Sequence, residues 1–414
     1  MPVDTRVGQF GCGLLPVLGL VAVASALAGR VAADELADVL AAHKGEALDL
    51  VELGTGTRFV RPTLENLVVK DGRVVSLRIR PEDQPQAVSV TMPTITKIVV
   101  GRETVHEAEV RGRSATQIRA KRAKERYATQ VAESRERMRT NGVEPWPDLS
   151  AEQHATTVAE LEAFVEQVRA RFPKLVVSRT HEFLVATDIP AAQMAPFVAG
   201  LDRMHDFLCD LYGIPRGEPV WQGKCLVVAF LSEDDFRAFE DGFMQSRLRG
   251  MHGICHQRSD GRVITACHRG DDGPAFAHML VHETSHGFNH RWMSPVRLPN
   301  WLNEGIAEWV GTKVVPGCDQ VPLKEARAVE AMRSRRDVGP GFFEADNIEP
   351  VQYGIASGLV RFMATRDATK FAAFVKGIKE GAPVEAALRE SFGASLDDLL
   401  AGYGRTIGVP DLHR

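Results

Sequence analysis

The sequence predicts an α+β protein in three parts: a small N-terminal β domain over 34–105, a charged helical linker over 106–150, and a larger mixed domain over 151–414. Three observations carry this expectation. Leu67-Val68-Val69 and Val74-Val75-Ser76-Leu77-Arg78-Ile79 are β-forming runs on either side of Lys70-Asp71-Gly72-Arg73, and an Asp-Gly pair between such runs is a strong hairpin signal. From 106 to 140, Arg, Lys, Glu and Ala dominate, and large apolar residues are few. Beyond 150, helix-period runs alternate with short apolar strands, and the apolar run 276–288 carries several histidines. A chain of 414 residues also exceeds the usual size of one domain.

Composition narrows the function only by exclusion. Hydrophobic residues at 44% and charged residues at 25% are ordinary for a globular protein. A net charge of −4 gives no whole-molecule reason to expect a nucleic acid or an acidic membrane as partner.

Taken in order, residues 1–33 read as a targeting segment. The run 14–28 is apolar and uncharged, follows Arg6, and ends in Ala26-Leu27-Ala28, a small-x-small cleavage signature; Val31-Ala32-Ala33 is a second option. The expectation is export to a periplasmic or extracellular space or, if 14–28 stays uncleaved, membrane anchoring with the protein facing outward. Over 34–105, the Asp-Gly hairpin and one or two strands within 87–100, broken at Pro93, make a small β domain, with a barrel-like closure as one option, suited to binding or packing. In the linker, Glu125, Glu133 and Glu136 interrupt the basic clusters, which favours a solvated helix over an anion-binding surface. Pro145-Trp146-Pro147 closes it.

The large domain opens with an amphipathic helix marked by Val158, Leu161, Val165 and Val168 and a longer one running from Met194 to Leu211. Strands are expected near 175–177, 183–186 and 226–231, and a hairpin over 253–267 just before the histidine-bearing run. After Glu304 the pattern is mainly helical to about 407. Cys255 and Cys267 flank the Ser259-Asp260-Gly261 turn and are placed to face one another across the hairpin, although five cysteines beyond Cys12 leave at least one free thiol.

The chemistry concentrates in His282-Glu283-Thr284-Ser285-His286. Residues four apart share one helix face, so His282 and His286 can reach a single ion, while Glu283 is rotated by about a third of a turn and stands beside it. A catalytic zinc takes three protein ligands and keeps one open position. Glu304, eighteen positions past His286 and separated from it by Pro295 and Pro299, is placed to be the third. It opens a second apolar-periodic stretch (Ile306, Trp309, Val310, Val314) able to pack antiparallel to the first. Glu308, one turn on, can accept a hydrogen bond from a ligand histidine and fix its tautomer. His278 and His290 complete a four-residue repeat with His282 and His286, but residues eight apart on a straight helix are about 12 Å apart. Bonds of about 2 Å cannot span that on one ion, so these two read as flanking polar residues.

His-Glu-x-x-His followed by Trp301-Leu302-Asn303-Glu304-Gly305 resembles the gluzincin metallopeptidases, the group with aminopeptidase N-like and thermolysin-like members. The likeness covers roughly 276–360. It implies a gluzincin-like fold for 151–414, one catalytic Zn2+ held by His282, His286 and Glu304, Glu283 as general base, and a peptide or protein substrate laid along a strand edge. Tyr353 resembles in position the tyrosine that aminopeptidase-like members set against the tetrahedral oxyanion. The loop between His286 and Glu304 is one residue shorter than is usual there. No Gly-x-Met-x-Asn element for a substrate's free amino end is present, which favours an endopeptidase. The rival expectation, from a different class, is an exported binding protein with a structural or vestigial zinc site.

Overall fold

The computed structural model describes residues 33–414 apart from 71–72, 83, 102, 108–112 and 247–249. The expected targeting segment therefore lies almost wholly outside the described residues. Among those residues, no helix is long and apolar enough to cross a membrane. The α+β expectation holds, with β sheets in the N-terminal part and a helical C-terminal part. Residues up to Lys121 form one compact unit and those from Arg122 onward a second.

The first unit begins with a helix that strand periodicity did not announce, α1 (Ala33–Ala42), whose Leu36 and Leu40 enter the core. Seven strands follow: β1 (Leu50–Leu53), β2 (Arg58–Val60), β3 (Thr63–Lys70), β4 (Arg73–Arg80), β5 (Val88–Thr91), β6 (Ile95–Val100) and β7 (Glu103–Glu107). The expected hairpin strands pair, with Lys70 opposite Arg73 in an antiparallel β3–β4 ladder, while the Asp71-Gly72 turn lies outside the described residues. The strands form two antiparallel sheets, β2-β1-β6-β7 and β3-β4-β5, in place of one closed barrel.

The charged stretch forms α2 (Arg113–Thr140), 28 residues long. Its solvated character holds only in part. From Arg122 onward it belongs to the second unit, where Ser134 and Met138 are buried. Arg137 there donates two hydrogen bonds to Glu380, at 2.7 and 3.0 Å. Tyr127, Val131, Ser134 and Met138 fall at i, i+4, i+7 and i+11, a one-faced helical stripe that the surrounding charge conceals.

The second unit continues with α3 (Ala151–Arg171), β8 (Val176–Arg179), β9 (Phe183–Thr187), α4 (Ala191–Tyr212), β10 (Cys225–Phe230), α5 (Glu233–Phe239), β11 (Gly253–Gln257) and β12 (Val263–His268). Their strands form a five-stranded sheet, β11-β12-β10-β9-β8, parallel across β12, β10 and β9, with β11 and β8 antiparallel at its ends. Side-chain alternation divides the core between its faces. Phe183, Val185, Cys225, Val227, Ala229, Val263 and Cys267 join one cluster, whereas Leu184, Ala186, Leu226, Val228, Phe230, Ile264 and Ala266 join the other. The first face carries α4 and α6 (Gly273–Arg291); the second carries α3 and α5. Helices complete the chain: α7 (Asn300–Val314), α8 (Gln320–Arg335), α9 (Gln352–Arg366), α10 (Ala368–Lys379), α11 (Val384–Phe392) and α12 (Leu396–Ile407).

The 253–267 hairpin forms, but its register overturns the expected cysteine pairing. Cys255 lies opposite Thr265 and Cys267 opposite Gly253. The two cysteines are thus offset by two residues along the ladder, and all five described cysteines are free thiols.

Candidate metal centre

The helix α6 forms where the sequence supplies its ends. Asp272 accepts a hydrogen bond from the Ala275 amide at 3.1 Å and caps the start, Pro274 occupies the first turn, and the chain leaves helical geometry at Trp292. Pro299 starts α7, which packs against α6. Gly305 lets α9 approach α7 closely, because a Cβ at this position would lie 2.5 Å from the Ala356 carbonyl oxygen. That approach brings the start of α9, with Tyr353, to the pocket that also holds His282 and Glu283.

His282, His286 and Glu304 converge. The His282 Nε2 and His286 Nε2 atoms are 3.1 Å apart, and Glu304 Oε2 is 3.2 Å from the first and 3.5 Å from the second. Donors about 2.0–2.1 Å from a common tetrahedral ion stand about 3.3 Å from one another. The three separations bracket that value, so these side chains fit one zinc. They are the group of three His, Cys, Asp or Glu residues among the described residues with donor atoms close enough for an ion.

The electrostatics fit as well. Burial works against the Glu304 charge, but the His286 and His282 imidazoles hold its carboxyl well below the usual carboxylate range. Burial would lower the His286 pKa, yet the Glu304 carboxylate in contact with it raises it to about 9. The cluster therefore attracts positive charge. Glu283 stands outside it, and burial, reinforced by Glu304, raises its pKa against the opposing pull of the two imidazoles and the Cys255 amide hydrogen bond.

Glu308 is 1% exposed and organises the back of the site. Its Oε1 lies 3.7 Å from His282 Nδ1 and accepts a 2.5 Å hydrogen bond from the Lys324 ammonium on α8. Its Oε2 faces His278 Nε2 at 3.6 Å. His278 is only 3% exposed, so it is an interior residue and not a flanking polar one. Chiefly through burial its pKa falls to about 4, which keeps the ring neutral. Gly311 makes room for it, since a Cβ there would come within 2.4 Å of His278 Nε2. His290 instead lies against the Trp146 ring and near the Arg258 carbonyl oxygen.

The front of the site is a pocket of about 470 Å³, lined in part by His252, His268, His282, Glu283, Lys324 and Tyr353. The Lys324 ammonium lies 5.6 Å from the Tyr353 ring centre. Sequence reasoning missed Lys324, which sits on a strongly charged helix with nothing to mark it. It discounted His278, although its place one turn before His282 put it on the correct face. No family model matches this chain, and no curated protein matches it.

Proposed function

We propose that this protein is an exported zinc-dependent peptidase, acting within peptide chains in preference to their amino ends. The observation that carries the proposal is the convergence of His282, His286 and Glu304 with a partly buried carboxylate, Glu283, beside the trio and outside it. Zinc, when bound, supplies a Lewis acid that polarises a scissile carbonyl and acidifies water. Glu283 takes a proton from the attacking water and delivers it to the leaving amine, a role its raised pKa suits. Tyr353 donates a hydrogen bond to the oxygen that gains negative charge; burial pushes its pKa to about 12, so the phenol keeps its proton. Glu308 places a carboxylate behind His282, 3.7 Å from its Nδ1 and beyond direct hydrogen-bond distance, and is itself held by Lys324. Strand β11 ends the sheet beside α6, and a substrate backbone added to that edge would lie extended past the site.

The test is the metal content of the purified protein, wild type against Glu304→Ala. About one zinc per chain in the wild type and weakened or lost zinc in the variant is the expected result. No zinc in either after reconstitution would remove the basis of the proposal, and full retention in both would assign the third ligand elsewhere.

A further inference from the structure

At the far end of the helix that carries the candidate zinc ligands lies a second site with different chemistry. Arg291, the last residue of α6, is 8% exposed, yet its Nε is buried without a hydrogen-bond partner. No carboxylate among the described residues makes an ion pair with it. The acid whose field it feels is Asp148, which is bonded to Arg135. Burial lowers the Arg291 pKa to about 10, leaving the guanidinium charged at neutral pH. A buried Nε–H without an acceptor, on a guanidinium that carries a full charge and is largely removed from water, is costly to fold around.

The guanidinium does not face solid protein. It lines a pocket of about 730 Å³ whose apolar walls include Tyr127, Val131, Met138, Trp146 and Trp292. Its carbon lies 5.3 Å from the Trp146 ring centre, so that ring covers it on one side, and Trp292 is fixed by stacking on Tyr212 at 4.0 Å. The other cations lining the pocket are already matched, Lys124 by Glu218 at 2.9 Å and Arg135 by Asp148. Glu125 lies exposed at the rim. One cation remains without an acid, within a cavity of the size that takes a small organic ligand or a few peptide residues.

We infer that this pocket binds a monocarboxylate on an apolar or aromatic body, with Arg291 gripping the carboxylate and the aromatic walls holding the rest. A carboxylate matches the guanidinium fork with two parallel hydrogen bonds and neutralises its single charge. Two sources share this chemistry: the free C-terminus of a peptide ending in an apolar residue, and a small aromatic acid. The inference does not rest on the zinc reading, and its test reads binding alone.

The experiment titrates the full chain by calorimetry with Ala-Ala-Phe, with Ala-Ala-Phe amide and with 3-phenylpropanoate. An acid should bind at least about tenfold more tightly than the amide, and Arg291→Gln should abolish that preference. A preference for the peptide acid over phenylpropanoate assigns the peptide terminus; the reverse assigns the small acid. Equal binding of acid and amide, no binding of any probe at millimolar concentration, or an undiminished preference in Arg291→Gln would overturn the inference. A melting curve guards against a misfolded variant. Arg291→Met should melt no lower than the unliganded wild type, because it removes an unpaired buried charge; a marked loss would make Arg291 a structural residue and also overturn the assignment.

Discussion

The middle of α6 and its C-terminal end bury charge in opposite ways. Around His282 and His286, three carboxylates (Glu283, Glu304 and Glu308) gather near two imidazoles and the Lys324 ammonium, so each charge has opposite charge close by. At the C-terminal end, two cations, Arg291 and Lys379, are buried, and among the described residues no carboxylate is bonded to either. Lys379 is satisfied by main chain instead. Its ammonium donates to the carbonyl oxygens of Ser294 at 2.6 Å and Val296 at 2.8 Å, in the loop that follows the helix, and of His290 at 3.4 Å in its last turn. Trp146 adds a 3.0 Å hydrogen bond from its Nε1 to the His290 carbonyl. The difference separates a site from a fastening: the middle holds groups that chemistry can use, while Lys379 and Trp146 close the end of the element that presents them.

Two variants probe that contrast through large effects. Glu283→Gln keeps the shape of the middle and removes the base. Turnover of a peptide substrate should fall on the order of 10³-fold or more, with zinc content unchanged. Undiminished turnover would show that Glu283 moves no proton. Lys379→Met acts on the fastening and should lower unfolding free energy by roughly 3 kcal/mol, because buried carbonyls lose their donor. Urea denaturation followed by far-UV circular dichroism measures this, and zinc binding at low temperature should survive in the folded fraction. Loss of zinc from a fully folded Lys379→Met protein would show that the two ends are not separable.

What could be read in advance follows the same division. The convergence of His282, His286 and Glu304 was legible because its logic is local: a four-residue spacing sets His282 and His286 on one face, and two prolines plus an apolar period place Glu304 on the next helix. The alternating strands β9, β10 and β12 were legible for the same reason. The groups that support the site were not. Lys324 and Lys379 are lysines on helices, and only tertiary packing distinguishes them from solvated ones. The Cys255–Cys267 pairing failed because turn residues locate a hairpin without fixing the ladder register, and an offset of two residues is invisible to alternation. The stripe on α2 was present in Tyr127, Val131 and Met138, but the charge around it masked a face that packs.

The finest distinction between the two ends is their response to pH. Burial lowers the Lys379 pKa to about 7, with the nearby Arg291 charge adding to the effect. In the unfolded chain the same amine titrates near 10.4. Between these values the unfolded chain binds the extra proton, so stability rises with pH across this window and its penalty is complete below it. From pH 6 to pH 8 the contribution amounts to about 1.4 kcal/mol of added stability. Denaturation at the two pH values should show that gain in the wild type and its disappearance in Lys379→Met, the variant serving to cancel every other titrating group. An equal gain in both proteins would mean that the three carbonyl oxygens hold the ammonium charged throughout. The end of α6 would then be fastened by a permanent cation, and Arg291 would be the unsatisfied charge there.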